Sequence, residues 1–441
     1  MDSIKHYAIV TLGCKVNQCE SATLEGLLNA SGMKRSVTAA SPDLVLLNTC
    51  TVTGRAAMQS RQAIRQAIRN YPDATIVVTG CYAQTAPEEL QQIRGIDYIV
   101  GHNDKLRIPE ILTQEVSRPS AAKPFLVHDP IRHARCFAPL PSVGSAIRTR
   151  AFLKIQDGCN THCTYCIVPH ARGRSRSMPM ADVLAHLARL SDMGYREVVL
   201  TGIHLGAYGR DLDPDLCLNT LLQRIVDHPR PDRIRLSSIE PIEVDSQLIA
   251  LAAMAGTGLC PHFHIPLQSG DNEVLKRMRR PYSRDQFLHI VTQIHSKMPH
   301  AAIGVDVLVG FPGESEAAFA NTLDLIDQLP VSYLHVFPFS ARKGTPAMAF
   351  KERVPAFIIK KRCQQLRRLG KEKKRHFYHA NIGRTLEVLV ENTLDVGVSG
   401  VSENYIPITI PGARPPENTL IQVCIASVAA DLSVVARAKT R

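Results

Sequence analysis

Three cysteines with the spacing C-x3-C-x2-C are the part of this sequence best suited to chemistry. Cys159, Cys163 and Cys166 fall within eight residues and follow an apolar segment predicted to be a strand. Three thiolates this close together can hold three irons of an iron-sulfur cluster and leave the fourth iron without a protein ligand. An open iron can bind a small molecule and pass an electron to it, so the spacing favours catalysis over scaffolding.

A structural zinc site is the alternative interpretation of this segment. Zinc prefers four ligands and C-x2-C pairs, and His162 and His170 could add nitrogen ligands. Spacing alone does not exclude zinc. The other motifs of the chain favour the open iron-sulfur cluster.

A second set of three cysteines is predicted from the order of elements in the first hundred residues. Strand-like segments alternate there with helical segments, at 6–12, 44–47 and 75–79. This order predicts an open parallel sheet, and Cys14, Cys50 and Cys81 come directly after its three strands. Because the carboxyl ends of parallel strands meet at one edge, the three thiols are expected to converge into a second three-thiolate site.

The middle and the end of the chain have different patterns. Six further strand-like segments alternate with helices, at 152–155, 197–201, 234–238, 262–265, 303–309 and 333–337. Six units instead of eight predict a partial (β/α)6 barrel with its active site at the carboxyl ends of the strands, where Cys159 lies. The last 65 residues have β-branched runs and turn residues, which predict a small antiparallel β-barrel of a kind that often binds oligonucleotides.

The sequence therefore predicts a multidomain α/β protein. The expected divisions are an N-terminal open parallel sheet, a linker, the partial barrel with a basic C-terminal helix, and the small barrel, at 4–118, 119–146, 147–375 and 377–441.

The net charge of +12 is concentrated in one segment. Residues 351–375 hold 11 basic and 2 acidic side chains and are predicted to form a basic helix. Such a run is commonly a solvated helix face, and it equally fits contacts to RNA phosphates.

Cysteine content and hydropathy indicate the compartment. The chain has 12 cysteines, and no apolar stretch reaches membrane-spanning length. We expect a cytoplasmic protein with no membrane partner, in which cysteines serve metal or redox chemistry.

The motifs around both cysteine sets resemble those of the radical S-adenosylmethionine (radical SAM) methylthiotransferases. The similar segments are DGCNTHCTYCIVP at 157–169, Arg172-Gly173, TLGCKVNQ at 11–18, NTC at 48–50 and TGC at 79–81. Finer motifs resemble one branch, which methylthiolates C2 of N6-threonylcarbamoyladenosine at position 37 of tRNA. These are LTGIHLG at 200–206, LSSIEP at 236–241, HFHIPLQSGD at 262–271 and SENY at 402–405.

The resemblance implies two [4Fe-4S] clusters and S-adenosylmethionine (SAM). Cys159, Cys163 and Cys166 would hold the cluster whose open iron chelates SAM and cleaves it reductively to an adenosyl radical. Cys14, Cys50 and Cys81 would hold an auxiliary cluster, which carries the sulfur that a second SAM methylates. The C-terminal barrel resembles the family's RNA-binding TRAM domain.

The resemblance also implies where SAM is bound. Thr201 and Gly202 would lie near its amino group, Ser238 and Glu240 near its ribose, and the segment 304–314 near its adenine. A purely structural interpretation of these positions stays open. Gly202 could end a strand, and the side chains of Ser238 and Glu240 could accept hydrogen bonds from nearby backbone amides.

No catalytic proton-transfer residue is identified by the sequence. His262 and His264 alternate on a strand and so point to one face, where core and lining roles are equally compatible. Tyr405 could stack on a base, although packing in the small barrel is favoured.

Two rival functions remain at this stage. One keeps the radical chemistry with an aspartate of a ribosomal protein as the target, and the other is a non-catalytic RNA-binding protein with structural metal sites. The preferred function implies the tRNA anticodon arm as a partner, together with an electron-donor protein such as flavodoxin or ferredoxin.

Overall fold

The structure is a computed structural model that describes residues 4–36, 41–113, 123–138 and 149–439. It divides into two compact units. The first contains the described residues up to 138, Gln156–Met178 and Ser340–Met348, and the second contains the rest. Residues 119–122 and 139–146 of the predicted linker lie outside the described residues.

A sheet of six parallel strands forms most of the first unit, in the order β2-β1-β3-β4-β5-β6. Its elements are β1 (His6–Thr11), α1 (Lys15–Ala30), β2 (Lys34–Arg35), β3 (Leu44–Thr49), α2 (Gly54–Asn70), β4 (Thr75–Gly80), α3 (Cys81–Thr85), α4 (Pro87–Gln91), β5 (Tyr98–Val100), α5 (Ile108–Thr113) and β6 (Phe125–Val127). The predicted open parallel sheet is confirmed. Strand β6 lies within the stretch predicted to be a linker.

Alternation along the central strands explains why helices cover both faces of this sheet. Leu44 and Leu46 of β3 pack into one hydrophobic cluster, whereas Val45 and Leu47 pack into another. Successive side chains of a strand point to opposite faces, so a strand that is apolar throughout must be covered twice.

After the sheet, the chain forms the first strand of the partial barrel. The short segment that follows this strand belongs to the first unit. The strand is β7 (Arg150–Lys154), and the segment contains β8 (Gln156–Asp157), α6 (Val168–Arg172) and β9 (Arg176–Ser177). Strands β8 and β9 pair antiparallel, so they hold the two ends of the cysteine segment together.

Six parallel strands form the partial barrel of the second unit, as predicted. Strands β11-β10-β7 and β12-β13-β14 form two sheets, which isolated parallel bridges from Ile234 to Leu259 and from Ser238 to His264 connect. The remaining elements are α7 (Met180–Asp192), β10 (Glu197–Thr201), α8 (Leu218–Val226), β11 (Arg233–Leu236), α9 (Ser246–Ala253), β12 (His262–His264), α10 (Asn272–Arg277), α11 (Arg284–Lys297), β13 (Ala302–Val309), α12 (Glu316–Gln328) and β14 (Tyr333–Pro338).

The basic helix, α13, spans Ala356–His379. It begins later than the predicted start at 351, because Pro355 occupies the N-cap. Proline disfavours a helical conformation of the residue before it, so the helix does not extend further toward 351. None of the described helices is both long and apolar enough to cross a membrane.

A closed five-stranded barrel follows, in the order β15-β16-β17-β19-β18. Its strands are β15 (Thr385–Leu394), β16 (Gly397–Ser402), β17 (Pro407–Pro411), β18 (Leu420–Val428) and β19 (Val434–Ala438). All pairs are antiparallel except β17 with β19. The predicted small barrel is confirmed, and β16 and β19 are strands that the sequence pattern missed.

Buried arginines join the small barrel to strand β11. Arg233 lies 3.0 Å from the carboxylate of Glu387, and Arg235 donates to the carbonyl oxygen of Glu403 at 3.0 Å. Arg235 also forms a buried ion pair with Glu197 at 2.7 Å. A buried charge left without its partner is costly, so these pairs fix one placement of the small barrel on the partial barrel.

Candidate active site

The structure brings Cys14, Cys50 and Cys81 together at one edge of the N-terminal sheet. Strands β1, β3 and β4 are neighbours and end nearly level with one another. Burial, followed by the nearby Cys81 and Cys14, raises the pKa of the Cys50 thiol to about 12. Cys14 and Cys81 are therefore close enough to Cys50 to act on its thiol, as the sheet order predicted.

A glycine lets the first loop approach Cys50. Gly13 has a φ of 100°, and a Cβ at this position would lie 2.6 Å from Cβ and 2.8 Å from Sγ of Cys50. A larger residue would force the Cys14 loop away from its partners. Three converging thiols on a tight backbone suit a metal cluster, since thiolates are the ligands of iron-sulfur clusters.

A buried arginine lies beside this cysteine set. Arg172 donates to the side-chain oxygens of Asn17 at 2.6 Å, Glu20 at 2.9 Å and Asp157 at 3.0 Å. Burial alone would lower its pKa, but Cys81 and the two carboxylates outweigh burial and hold the pKa of Arg172 well above its usual range. Arg172 is thus a permanent cation beside the thiols, and it would offset the negative charge of thiolates that bind a cluster.

Two further buried side chains complete the network around Glu20. Lys105 Nζ lies 2.5 Å from the Glu20 carboxylate and donates to Nδ1 of His102 at 3.1 Å. An ammonium group only donates, so the imidazole proton must lie on Nε2, 3.4 Å from the Asp157 carboxylate. Burial, followed by the charges of Lys105 and Arg172, lowers the pKa of His102 to about 3, so the ring is neutral.

The C-x3-C-x2-C segment forms an irregular loop between β8 and α6. Gly158 has a φ of 76°, and a Cβ there would lie 2.0 Å from the carbonyl oxygen of Arg174. The Cys159 amide donates to the carbonyl oxygen of Gly173, and the Thr161 amide donates to Cys159 Sγ at 3.4 Å. Three thiols with an amide directed at one sulfur fit an iron-sulfur cluster.

A cavity of about 540 Å³ opens beside this loop. Cys159, Asn160, His162 and His170 are among its lining residues. His162 has a φ of 49°, a left-handed conformation that non-glycine residues seldom adopt outside sites where the surroundings impose it. The volume falls within the range of small-ligand pockets, roughly 300–1,000 Å³.

The four residues expected near SAM lie at one edge of the partial barrel. Thr201 ends β10 and Gly202 follows it, while Ser238 and Glu240 come shortly after β11. Thr201 is buried and Ser238 is exposed. The Glu240 carboxylate is paired with Arg280, and burial raises the pKa of Glu240. The structure gathers these side chains at the carboxyl ends of two neighbouring strands, and their contacts to SAM stay a prediction.

Comparison with known proteins identifies the family. Residues 6–101 match the uncharacterized protein family UPF0004, and residues 153–326 match the radical SAM superfamily. Threonylcarbamoyladenosine tRNA methylthiotransferase MtaB of Bacillus subtilis is 36% identical over 423 residues, which cover 95% of this chain and 93% of that protein. The protein of the same name from Aquifex aeolicus is 38% identical over 409 residues, covering 92% of this chain and 97% of the relative.

The chain belongs to the radical SAM methylthiotransferase family. A solved radical SAM methyltransferase from Kitasatospora setae, TsrM, which contains cobalamin and a [4Fe-4S] cluster, resembles it with a TM-score of 0.59 and 18% identity. That likeness covers 78% of this chain and 77% of TsrM and concerns the fold alone. Membership in the radical SAM family implies an enzyme that uses a [4Fe-4S] cluster and SAM.

In this radical SAM methylthiotransferase, the glycine-bearing segment 304–314 is held by side chains of its own unit. Gly310 has a φ of 81° and donates its amide to the Glu314 carboxylate at 2.8 Å. Glu314 also pairs with Arg362 at 2.7 Å. This explains the shape of the loop without a ligand, while adenine binding by the segment stays a prediction.

The two strand histidines of this family member form a hydrogen-bonded chain. His262 Nε2 lies 2.8 Å and His264 Nδ1 3.2 Å from the Tyr333 hydroxyl, and His264 Nε2 lies 2.9 Å from Asp306. Tyr405 packs on the His262 ring with centroids 4.4 Å apart. The histidines share one face of the strand, as predicted.

Several residues around the cysteine sets were not identified from sequence. The sequence motifs include Arg172 and Asp157 but indicate no role for either, and they do not include Glu20, His102 or Lys105. The one signal available was that Arg172 and Asp157 flank the cysteine loop. Nothing in the pattern indicated that Glu20 and His102, from distant parts of the sequence, would meet them.

Proposed function

We propose that this protein replaces the hydrogen at C2 of N6-threonylcarbamoyladenosine, at position 37 beside the tRNA anticodon, with a methylthio group. The main support is the name shared by several relatives that are 34–38% identical over more than 90% of this chain. A relative at 33% identity is named tRNA-2-methylthio-N(6)-dimethylallyladenosine synthase, so tRNA is the substrate on either branch.

The proposal includes two [4Fe-4S] clusters, one on each cysteine set. Two features support the auxiliary cluster: the convergence of Cys14, Cys50 and Cys81, and the glycine backbone against Cys50. When bound, such clusters supply the electron that cleaves SAM and the sulfur that is inserted. One SAM serves as the radical source and another as the methyl donor.

The chain's own residues have distinct parts in this proposal. The six cysteines supply thiolate ligands. Arg172 compensates negative charge at the auxiliary set, and Asn17 and Glu20 fix the orientation of its guanidinium. Thr201, Gly202, Ser238 and Glu240 would contact the amino group and the ribose of SAM.

The domain boundaries 4–118, 119–146, 147–375 and 377–441 belong to the same proposal. So do a cytoplasmic location and an electron-donor protein such as flavodoxin or ferredoxin. Family membership weighs against the rival of a non-catalytic RNA-binding protein, and the tRNA named for the relatives weighs against a ribosomal-protein substrate.

Mass spectrometry of tRNA nucleosides from a strain lacking the gene tests the function. We expect methylthio-threonylcarbamoyladenosine to disappear and its unmethylthiolated precursor to accumulate, with restoration by the intact gene but not by a Cys163→Ala copy. Methylthio-dimethylallyladenosine in the same digest is the internal control and should not change. An unchanged level of the first nucleoside, or loss of the second alone, would reject the proposed substrate.

A further inference from the structure

A second cavity, of about 500 Å³, lies within the second unit, far along the strands from their carboxyl ends. It is bounded by helix α13, strand β14 and the small C-terminal barrel. Ala302 and Tyr333, the first residues of β13 and β14, line it. The eight residues of β13 span about 26 Å at roughly 3.3 Å per residue, so this cavity is remote from the edge where such barrels carry out catalysis.

One wall of this cavity is cationic. Arg367, Lys371 and Lys374 line it from α13, and their spacing places them on one face of the helix. Within the part of the chain that the structure describes, none of the three lies within 4.0 Å of a carboxylate. The exposed Asp431 is near enough to Lys371 for the two charges to attract each other. Three positive charges around a recess favour the binding of an anion.

Other basic residues of the same helix are used internally. Arg362 is buried and paired with Glu314, and Lys373 donates to the carbonyl oxygen of Leu329 at 3.1 Å. Arg367 also donates to the carbonyl oxygen of Val336 at 3.3 Å, so the charge of the helix is divided between structural contacts and the cavity, and Arg367 contributes to both.

Tyr333 and Tyr405 give the cavity an aromatic wall. Tyr333 and Tyr405 have ring centroids 6.1 Å apart, and the Tyr333 hydroxyl is held by His262. His335 lies next to Tyr333, and about half of its side chain is exposed. Aromatic surfaces beside cations are the combination that binds bases and phosphates of single-stranded nucleic acid.

The recess is maintained by close packing beneath it. Gly370 lies within α13 and lines the cavity, and a Cβ there would lie 3.1 Å from Cβ of Leu334. Glycine is unfavourable inside a helix, so its presence is explained by the close approach of the helix to β14. Helix α13 therefore packs closely on β14 where both line the cavity.

We propose that this cavity binds a nucleotide of the tRNA substrate away from the base that is modified. Its phosphates would contact Arg367, Lys371 and Lys374, and its base or ribose would pack on the aromatic wall. This rests on the proposed function and adds an anchoring site. The sequence-based expectation of RNA contacts along 351–375 is thereby narrowed to one face of the helix.

The test compares two double variants of the cluster-loaded protein. Lys371→Gln/Lys374→Gln removes two charges from the cavity, and Arg224→Gln/Lys297→Gln removes two exposed charges from other helices. Filter binding to unmodified tRNA at several salt concentrations should show at least tenfold weaker binding for the cavity variant. Its slope of log K against log salt should be smaller in magnitude by about 0.7 to 1.8, since each lost phosphate contact removes roughly 0.7 to 0.9. The control variant should bind within twofold of the wild type.

Steady-state kinetics add an independent readout. An anchor remote from the reaction predicts a higher KM for tRNA in the cavity variant and a change in kcat of less than twofold. Binding and KM equal to the control's would overturn the inference and leave the proposed function intact. An equal loss in Lys360→Gln/Lys361→Gln would also overturn it, because a diffuse charged face would then explain binding.

A fluorescent reporter separates RNA from small anions. The chain contains no tryptophan, so Phe377→Trp places a single indole at the cavity. We expect tRNA to change its emission at concentrations where AMP and inorganic phosphate do not. A response to AMP alone would assign the cavity to a free nucleotide and refute the proposal. Absence of tRNA binding by the wild type would refute both the anchor and the proposed function.

Discussion

The two cysteine sets of this protein are built in opposite ways. Cys159, Cys163 and Cys166 lie in one loop, so their proximity is fixed by eight residues of backbone and by the pairing of β8 with β9, which holds the ends of the loop. Cys14 and its two partners come from three strands and meet only because β1, β3 and β4 are adjacent and parallel. The first set can be predicted from the spacing of its cysteines alone. The second can be predicted only if the order of the strands in the sheet is also predicted correctly.

The difference has a physical consequence for how each set tolerates change. A contiguous loop depends on local conformations, such as the positive φ of Gly158. A set assembled from strand ends depends on sheet register and on tertiary contacts, including the buried guanidinium of Arg172. The two sets should therefore respond differently to substitutions in their surroundings.

Removing one thiol from each set has the largest expected effect. Cys163→Ala should abolish reductive cleavage of SAM, because an iron loses its ligand at the cluster that binds SAM. Cys50→Ala should leave cleavage within a fewfold of the wild type and stop sulfur insertion. Each variant should retain roughly four of the eight irons expected for two cubane clusters.

Chromatographic detection of 5′-deoxyadenosine, together with iron analysis, checks these expectations. Equal loss of cleavage in both variants would contradict the division of labour between the sets. Loss of all iron in either one would contradict their independence.

Adding a methyl group at one glycine of each set comes next. Gly13→Ala should lower iron at the auxiliary set by more than half, since its Cβ would lie 2.6 Å from Cβ of Cys50. Gly158→Ala should do the same at the loop set. Gly32→Ala is the matched control, because Gly32 also has a positive φ but no atom within 4 Å of the added carbon.

Mössbauer or EPR spectra of the reconstituted variants distinguish the two sets. If Gly32→Ala lost as much iron as Gly13→Ala, backbone strain alone would account for the effect. The inferred close approach would then have no role.

Substitution of Arg172 tests the tertiary support of the strand-end set. Arg172→Gln leaves the carboxylates of Glu20 and Asp157 buried without their guanidinium and should destabilise the first unit by about 3–5 kcal/mol. Arg172→Lys should recover part of the loss, because it keeps the charge but not the forked geometry.

Denaturant unfolding followed by circular dichroism, combined with the reduction potential of the auxiliary cluster in a Cys163→Ala background, measures both effects. The potential should fall in Arg172→Gln, because a nearby cation stabilises the reduced cluster. If neither the unfolding midpoint nor the reduction potential changed, Arg172 would have no role in supporting the auxiliary set.

The smallest effect concerns His102 and pH. Its pKa is about 3 in the folded protein and 6.5 in an unfolded chain, so between these values the folded state binds fewer protons. Stability should therefore fall as the pH drops below about 6.5, by at most about 1.4 kcal/mol per pH unit from this residue.

Melting curves at pH 7.5, 6.5 and 5.5 check the sign of this dependence. His102→Gln should show a shallower decline than the wild type, and the exposed His289→Asn should show the wild-type decline. A steeper decline in His102→Gln would mean that the ring is protonated in the folded protein.

The elements that could be predicted from the sequence are those marked by residues within or next to them. The barrel strand Glu197–Thr201 was predicted with the bounds observed, because its apolar run is local. The helices Arg284–Lys297 and Glu316–Gln328 begin directly after serine N-caps, so local residues mark them as well. Strands β16 and β19 were missed, since short strands of a closed barrel carry few alternating positions. The basic helix began late because Pro355 sets its first turn.

The sequence by itself determined the ligand chemistry, since thiol spacing and strand order are properties of the chain read in one dimension. Only the tertiary structure decided what surrounds the ligands. Glu20, His102, Lys105, Asp157 and Arg172 are distant in sequence and meet through packing, and their burial is what makes their charges interact strongly. A pattern read along the chain contains no information on burial shared between separate segments, so this network, and the cation-lined cavity beside α13, emerged only from the fold.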